Sequence, residues 1–312
     1  DENDVRELAR VFTGWEVCKK TVADRDDPLA PCIDPIFGGE GRWTSNFNAA
    51  NHDSGQKVLF AGTLYETIIT DTTANPDEGF NDVQIALDAI VAHPSTPEFI
   101  CWKLLRRFIT DEPTQQMVDA VVAEWNLTGG DLREVTRAVL SAENLLDPDI
   151  VGEKIKSPQE HVLSAYRAMR GNTQIAQPFF LAYANLYNWM ARMGHLPYNR
   201  VEPDGYPEKA PPWLGTNQFL DRQDYGMFAA ADPFAYGTNI TQMVADYGLD
   251  TAEKIVDFFA EVLLGGAITL AERARAIEYL NKDEFGNETP YDDARVRDTV
   301  GFLLGHAQFM ER

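Results

Sequence analysis

His52 and Asp53, followed by Gly55 and Lys57, form the sharpest polar cluster in the sequence. An imidazole oriented by a carboxylate can act as a general base or as a metal ligand. The pair lies in a polar turn, Asn48 to Gly55. A metal-dependent phosphohydrolase would want it on a helix with further His and Asp ligands. The same residues also read as a structural turn, with Asp53 capping backbone N–H groups and His52 packing on Trp43 or Phe47. His195, Asp204 and Tyr206 share a proline-rich stretch and are candidates for the wall of a binding loop. His93, ahead of Pro94, suits a helix C-terminus, where a cationic ring is favoured. His161 and His306 fall in helical patterns and suggest no site.

Several kinds of chemistry lack their residues. There is no His-Glu-x-x-His, no Cys-x-x-Cys, no Gly-x-x-x-x-Gly-Lys phosphate cradle and no Gly-x-Ser-x-Gly elbow. Asn281 to Glu288 has acidic residues around Gly286, yet its spacing does not fit a calcium loop. No cofactor is expected, and a metal only if the chain proves to be a hydrolase.

The 312 residues carry 27 basic and 49 acidic side chains, a formal charge of −22. Such a balance repels polyphosphate and argues against nucleic-acid binding. Lys103, Arg106 and Arg107 are the one tight basic cluster; they suit internal salt bridges, or a sulfate- or carboxylate-binding edge. No apolar run approaches the roughly 18–20 residues of a membrane helix. Cys18 and Cys32 flank an Asp- and Pro-rich loop. A bridge between them would close about 15 residues, worth roughly 3 kcal/mol in the loop-entropy view, and would imply an extracytoplasmic location. Cys101, inside an apolar helical pattern, reads as a buried small hydrophobe.

Helix-start signals supply the frame for these side chains. Ser95-Thr96-Pro97-Glu98, Ser157-Pro158-Gln159-Glu160, Asp250-Thr251-Ala252-Glu253 and Thr269-Leu270-Ala271-Glu272 all place a capping side chain three residues before a Glu. Helical periodicity covers Phe80 to Ala92 and Pro113 to Trp125, and Gly129-Gly130-Asp131 ends one helix and caps the next. Pro178 to Arg192 is rich in aromatic residues and reads as a central helix closed by Gly194. Strand-like residues around Trp43 and Phe47, and again at Val58-Leu59-Phe60, suggest a hairpin. Lys19 to Gly41 and Gly194 to Thr216 read as long loops, the second stiffened by five prolines. The expected fold is a mainly α multi-helix globular bundle, one domain over residues 1–312, with one short β-hairpin near residues 42–60 and long Pro-rich loops.

An ordered series of segments resembles the bacterial family called "domain of unknown function 1800". It runs through Asp4–Arg10, Phe12–Trp15, His52-Asp53 with Gly55 and Lys57, His93–Thr96, Thr128–Arg133, Lys156-Ser157-Pro158 with Glu160, Pro203–Pro207, and Leu303–Gly305 with Phe309. The resemblance implies a helical fold, export, frequent gene neighbourhood with an exported sulfatase-like family, and no established reaction. It also implies a longer protein, of which this chain is the C-terminal portion, with an N-terminal half carrying a His-Asn-His-Phe type motif.

Two functions fit. One is an accessory binding or assembly protein of the cell surface, whose partner is its own N-terminal segment or another surface protein. The other is a metal-dependent hydrolase-like enzyme acting on exported polymers, sulfated ones among the candidates. Its site would hold His52, Asp53, Lys57 and His195 or Asp204 and would be completed by the missing half.

Overall fold

Helix punctuation in the sequence becomes helix termini in the structure, a computed structural model that describes residues 1–171, 180–231 and 238–311, with 180–182 by backbone alone. Backbone packing divides the chain into two compact units, Asp1–Ile100 and Cys101–Arg312.

The first unit opens with α1 (Glu2–Val11), whose N-terminus is closed by a capping box between Asp1 and Asp4. Strands β1 (Trp15–Lys20) and β2 (Arg42–Phe47) pair antiparallel, Trp15 opposite Phe47 and Lys20 opposite Arg42. Strands β3 (Lys57–Leu59) and β4 (Thr67–Ile69) form a second ladder, and α2 (Asp82–Ala92) follows. Val11, Leu59, Ile69 and Ala86 make the core, joined by Leu8, Phe60 and Val83. The segment Thr21 to Gly41 is pinned to the first ladder. Cys18 on β1 is bridged to Cys32, with Cα atoms 5.8 Å apart, and Lys20 Nζ donates to the Asp27 carbonyl oxygen at 2.6 Å.

The hairpin expected within residues 42–60 needs correction. Both of its arms are strands, but they belong to different ladders, each with a partner elsewhere in the chain. Side-chain alternation reports that a segment is extended and half-buried; it does not report which strand it pairs with. The 3₁₀ turn Ala49–Asn51 and the polar contacts of Asp53 and Lys57 occupy the connection between the arms.

The division between the units falls within α3 (Ser95–Phe108). That helix begins at Ser95, and its N-terminal N–H is met by a ring: Ser95 N donates to His93 Nδ1 at 3.2 Å.

In the second unit, α4 (Gln115–Thr128) ends on Gly129 with φ +65°, and Asp131 caps α5 (Leu132–Val139). Cys101, Leu105, Val118, Val121, Val135 and Val139 pack together there. The short α6 (Ala142–Leu145) precedes α7 (Pro158–Ala168), whose capping box joins Ser157 and Glu160 as the sequence indicates. Helix α8 spans Phe180–Arg192; Pro178 and Phe179 of the aromatic-rich stretch lie outside the described residues.

Helices α9 (Thr216–Ala231), α10 (Ile240–Asp246), α11 (Ala252–Leu264), α12 (Leu270–Asn281), α13 (Asp293–Leu304) and α14 (Ala307–Met310) complete the unit. Thr251 caps α11 and Thr269 caps α12. The larger core gathers Val162, Met169, Met193, Tyr225, Ile255, Phe259, Leu280, Val300 and Leu303. Helices α9 and α13 cross at glycines: a Cβ on Gly226 would lie 2.7 Å from the Gly301 carbonyl oxygen. The fold is mainly α, with two small antiparallel ladders.

Candidate functional site

The His52–Asp53–Lys57 cluster is built into the first unit from several sides. His52 has no exposed side-chain surface, and its Nδ1–H donates to the Thr13 carbonyl oxygen at 2.8 Å. Its Nε2 lies 3.1 Å from Oδ2 of Asp82. The same oxygen accepts from Lys57 Nζ at 2.8 Å, and that ammonium also donates to the carbonyls of Asp53 and Gly55. Phe47 packs edge-on against the imidazole, with centroids 5.1 Å apart. Gly79 lies so close that an added Cβ would sit 2.4 Å from His52 Cδ2.

Asp53 faces the other way. Arg10 Nε donates to it at 2.8 Å and Arg10 Nη2 at 3.2 Å, while its Oδ1 accepts from Gly55 N at 3.0 Å. The Arg10 hydrogen bond holds the Asp53 carboxyl down at about 2, from an ordinary 3.8. Glu7 accepts from Val58 N and Asp4 from Phe60 N, so α1 supplies acceptors to the N–H groups of β3 and the residue after it.

The imidazole, the ammonium and the Asp53 carboxylate of this cluster all bond inside the protein, and the resembling segments Asp4–Arg10, Phe12–Trp15 and His52–Lys57 meet in one structural network. Sequence reading missed Asp82 and Arg10, its two anchors. Arg10 lies in a quoted segment, but nothing in the spacing points to Asp82, 30 residues beyond His52.

The second unit holds a different kind of site. A cavity of about 690 Å³ opens between the start of α7 and the proline-rich loop. One wall is the segment Lys154 to Glu160, and the other is His195, Tyr206, Pro207, Glu208 and Trp213. His195 stacks on Trp213, with centroids 5.2 Å apart and planes inclined by 16°, and Tyr206 closes the cluster at 4.4 Å from His195.

The prolines keep this loop from becoming helix, and side-chain ties fix where it lies. Tyr206 OH donates to the Leu196 carbonyl oxygen at 2.7 Å and Trp213 Nε1 to that of Pro207 at 3.0 Å. Ala210 N donates to Asp111 at 2.6 Å, and Lys103 pairs with Glu208 at 2.9 Å. Asp204 is not among the lining residues; it faces solvent and pairs with Arg200.

Cations dominate the lining. Arg107 pairs with Glu160 at 2.9 Å, and Lys154 with Asp111 at 2.5 Å. Arg167 is exposed and has no ion-pair partner among the described residues. Lys156 donates to the Phe309 carbonyl oxygen at 2.5 Å, and burial pushes its ammonium down to about 8, with Arg222 adding repulsion. Burial also lowers His195 below its ordinary value, and its Nδ1 is enclosed without a partner. The basic cluster 103–107 is spent on ion pairs, Arg106 lying over the Trp102 ring at 3.6 Å. Sequence reading named His195 and Tyr206 but gave no role to Lys156, Arg167 or Trp213.

Among the described residues, no three His, Cys, Asp or Glu side chains gather as a metal site would need. No helix among them is long and apolar enough to cross a membrane.

Fold and site together define a mainly α, disulfide-bridged protein with a buried ionic network in one unit and a cation-bearing pocket in the other. The chain belongs to the family described as "Protein of unknown function (DUF1800)", whose family model matches residues 1–311. No curated protein and no solved structure matches it.

Proposed function

We propose that this protein is an extracytoplasmic binding protein of the bacterial cell surface, and that the pocket of the second unit takes the acidic groups of a sulfated saccharide. The observation that carries this reading is the charge of the pocket. On a chain of formal charge −22, Lys156 and Arg167 line a cavity, and no carboxylate among the described residues bonds either the ammonium or the guanidinium. An anion entering there meets a locally inverted field.

Two further features fit. The segment Lys156–Glu160, and Tyr206 and Pro207 from the segment Pro203–Pro207, both segments part of the family resemblance, supply facing walls of the pocket. The loop also holds Tyr198 fully in solvent at φ +62°, a backbone conformation that tyrosine adopts at a cost, with Val201 exposed beside it. An aromatic ring held out in this way is a platform on which a sugar ring stacks. The bridged Cys18–Cys32 pair suits an oxidising compartment. Another surface protein, or an N-terminal segment of its own, is the partner that would present such a module.

Calorimetric titration with a sulfated oligosaccharide and with its desulfated counterpart tests the reading. Binding of the sulfated form alone, weakened about tenfold by Arg167→Glu and by rising salt, is expected. Equal binding of both forms would sink it. A hydrolytic reading retains one observation in its favour: a His195 kept neutral near pH 7 by burial meets a requirement for a general base. Release of reducing ends from the sulfated saccharide, abolished by His195→Gln, would select that reading, and metal analysis of the active protein would show whether a metal takes part.

A further inference from the structure

Arg222, on α9, is wholly buried, and its guanidinium is only partly used. Nη2 donates to the Lys156 carbonyl oxygen at 2.7 Å, whereas Nε and Nη1 are enclosed with no hydrogen-bond partner. His161, on α7, is equally buried, and neither of its ring nitrogens is in a well-formed hydrogen bond. Its ring packs on Phe309 and Tyr225, with centroids at 5.2 and 5.9 Å. Of the neighbouring carboxylates, Glu160 bonds Arg107 and the Ser157 N–H and Glu311 bonds Gln308, while the Glu160 charge also acts on Arg222 and Lys156.

Buried polar groups in folded proteins are almost always satisfied, and a buried guanidinium with two nitrogens left unbonded is costly to hold. Burial moves three groups here in the same direction. Arg222 falls to about 10, Lys156 to about 8, and His161 well below its ordinary value, Arg222 repelling protons from the other two. Glu160 offsets part of this charge at Arg222 and Lys156, yet among the described residues no acceptor is well placed for Nε and Nη1 of the guanidinium or for either nitrogen of the imidazole.

We propose that a small inorganic anion of chloride size is bound in the interior between Arg222 and His161. It accepts hydrogen bonds from the guanidinium and the imidazole, with water on the guanidinium edge that it leaves open. The aromatic walls favour a single compact acceptor over an oxyanion, whose extra oxygens would need further donors. Because Arg222 braces the Lys156 carbonyl, the anion fixes the Lys156–Ser157 step from behind, while that step lines the saccharide pocket in front. The proposal stands whether or not the pocket binds saccharide.

The native protein, dialysed into sodium gluconate, is unfolded thermally while chloride replaces gluconate at constant ionic strength. A saturable rise in Tm is expected, about 2–3 °C when chloride reaches about ten times its Kd, and Arg222→Met should abolish it. Crystals of the native protein grown in sodium bromide provide a readout that does not depend on that variant folding. Anomalous scattering should place a bromide within hydrogen-bond distance of Arg222. A Tm that follows ionic strength alone, or a site that holds only water in bromide crystals, overturns the proposal.

Discussion

Deleting the Asp82 carboxylate is expected to destabilise the first unit more than removing any other single charge in it except its partner Lys57. Asp82 is 2% exposed, and one of its oxygens receives both His52 Nε2 and Lys57 Nζ. In Asp82→Ala the ammonium of Lys57, also fully buried, keeps only the carbonyls of Asp53 and Gly55. Breaking a buried ion pair from one side costs about 3–5 kcal/mol, since it strands the other charge. The two remaining carbonyl bonds place this case near the lower end, about 3 kcal/mol. Lys57→Met alone strands Asp82 with only His52, at a similar cost. The double variant Asp82→Leu/Lys57→Met removes both charges and fills the space, so its loss should fall below about 1.5 kcal/mol.

Native-state hydrogen exchange on peptides spanning residues 10–20 and 52–60 reads the opening energy of this unit separately from the other. If Asp82→Ala costs under about 1 kcal/mol, or the double variant costs the sum of the singles, the network is not what holds the unit. The structural reading of His52, Asp53 and Lys57 then fails, and these residues return as catalytic candidates.

Other perturbations have equally definite outcomes. Gly226→Ala drives a Cβ into the Gly301 carbonyl and the Gly305 N–H; a loss of about 2–3 kcal/mol should appear as a Tm lower by several degrees in calorimetry. Opening the Cys18–Cys32 bridge with Cys18→Ser/Cys32→Ser should cost roughly 3 kcal/mol, measured by urea unfolding without reductant. Asp53 and Glu272 both have carboxyls held at about 2 in the folded protein, so their stabilisation is complete above their unfolded values of 3.8 and 4.5. It is lost as the pH falls from there towards 2, and a Tm profile over this range should flatten in Arg10→Met. Tyr198→Gly relieves a strained backbone at about 1–3 kcal/mol and adds about 0.5–1 kcal/mol of unfolded-state entropy. Its net effect is a small gain in Tm, accompanied by weaker saccharide binding in the same titration.

The parts of this fold legible in the sequence are those encoded locally. A capping hydroxyl, a Pro at the first helical position and a Glu at the third act within one turn, which is why Ser157–Glu160 and Thr269–Glu272 read correctly. Gly129 and Asp131 are legible for the same reason. The ladder partners were not, because β1 and β2 are joined across 21 intervening residues whose path is set by a disulfide and by bonds to Pro28 and Asp27 carbonyls. Even at Ser95 the local rule named the wrong group: the acceptor is the His93 ring, not a hydroxyl. The Cys18–Cys32 bridge could be named because two cysteines around a loop leave one short pairing.

The same distinction separates the two clusters of polar residues. His52 and Asp53 drew attention because they are adjacent, and adjacency turned out to mark a turn whose side chains face opposite ways, His52 inward to Asp82 and Asp53 out to Arg10. A group committed to two internal partners has little left to offer a ligand. Lys156 and Arg167, by contrast, stand on one helix and the residues before it, Lys156 in a segment that reads as a helix start and Arg167 in no motif. They become a pair of unbalanced cations only because the proline-rich loop is tied down opposite them by Asp111 and Lys103. On the proposed reading, the functional signal lies in charge left over after the internal pairs are counted. By that measure the pocket of the second unit, and the unsatisfied guanidinium behind its wall, outrank the cluster that looked most like chemistry.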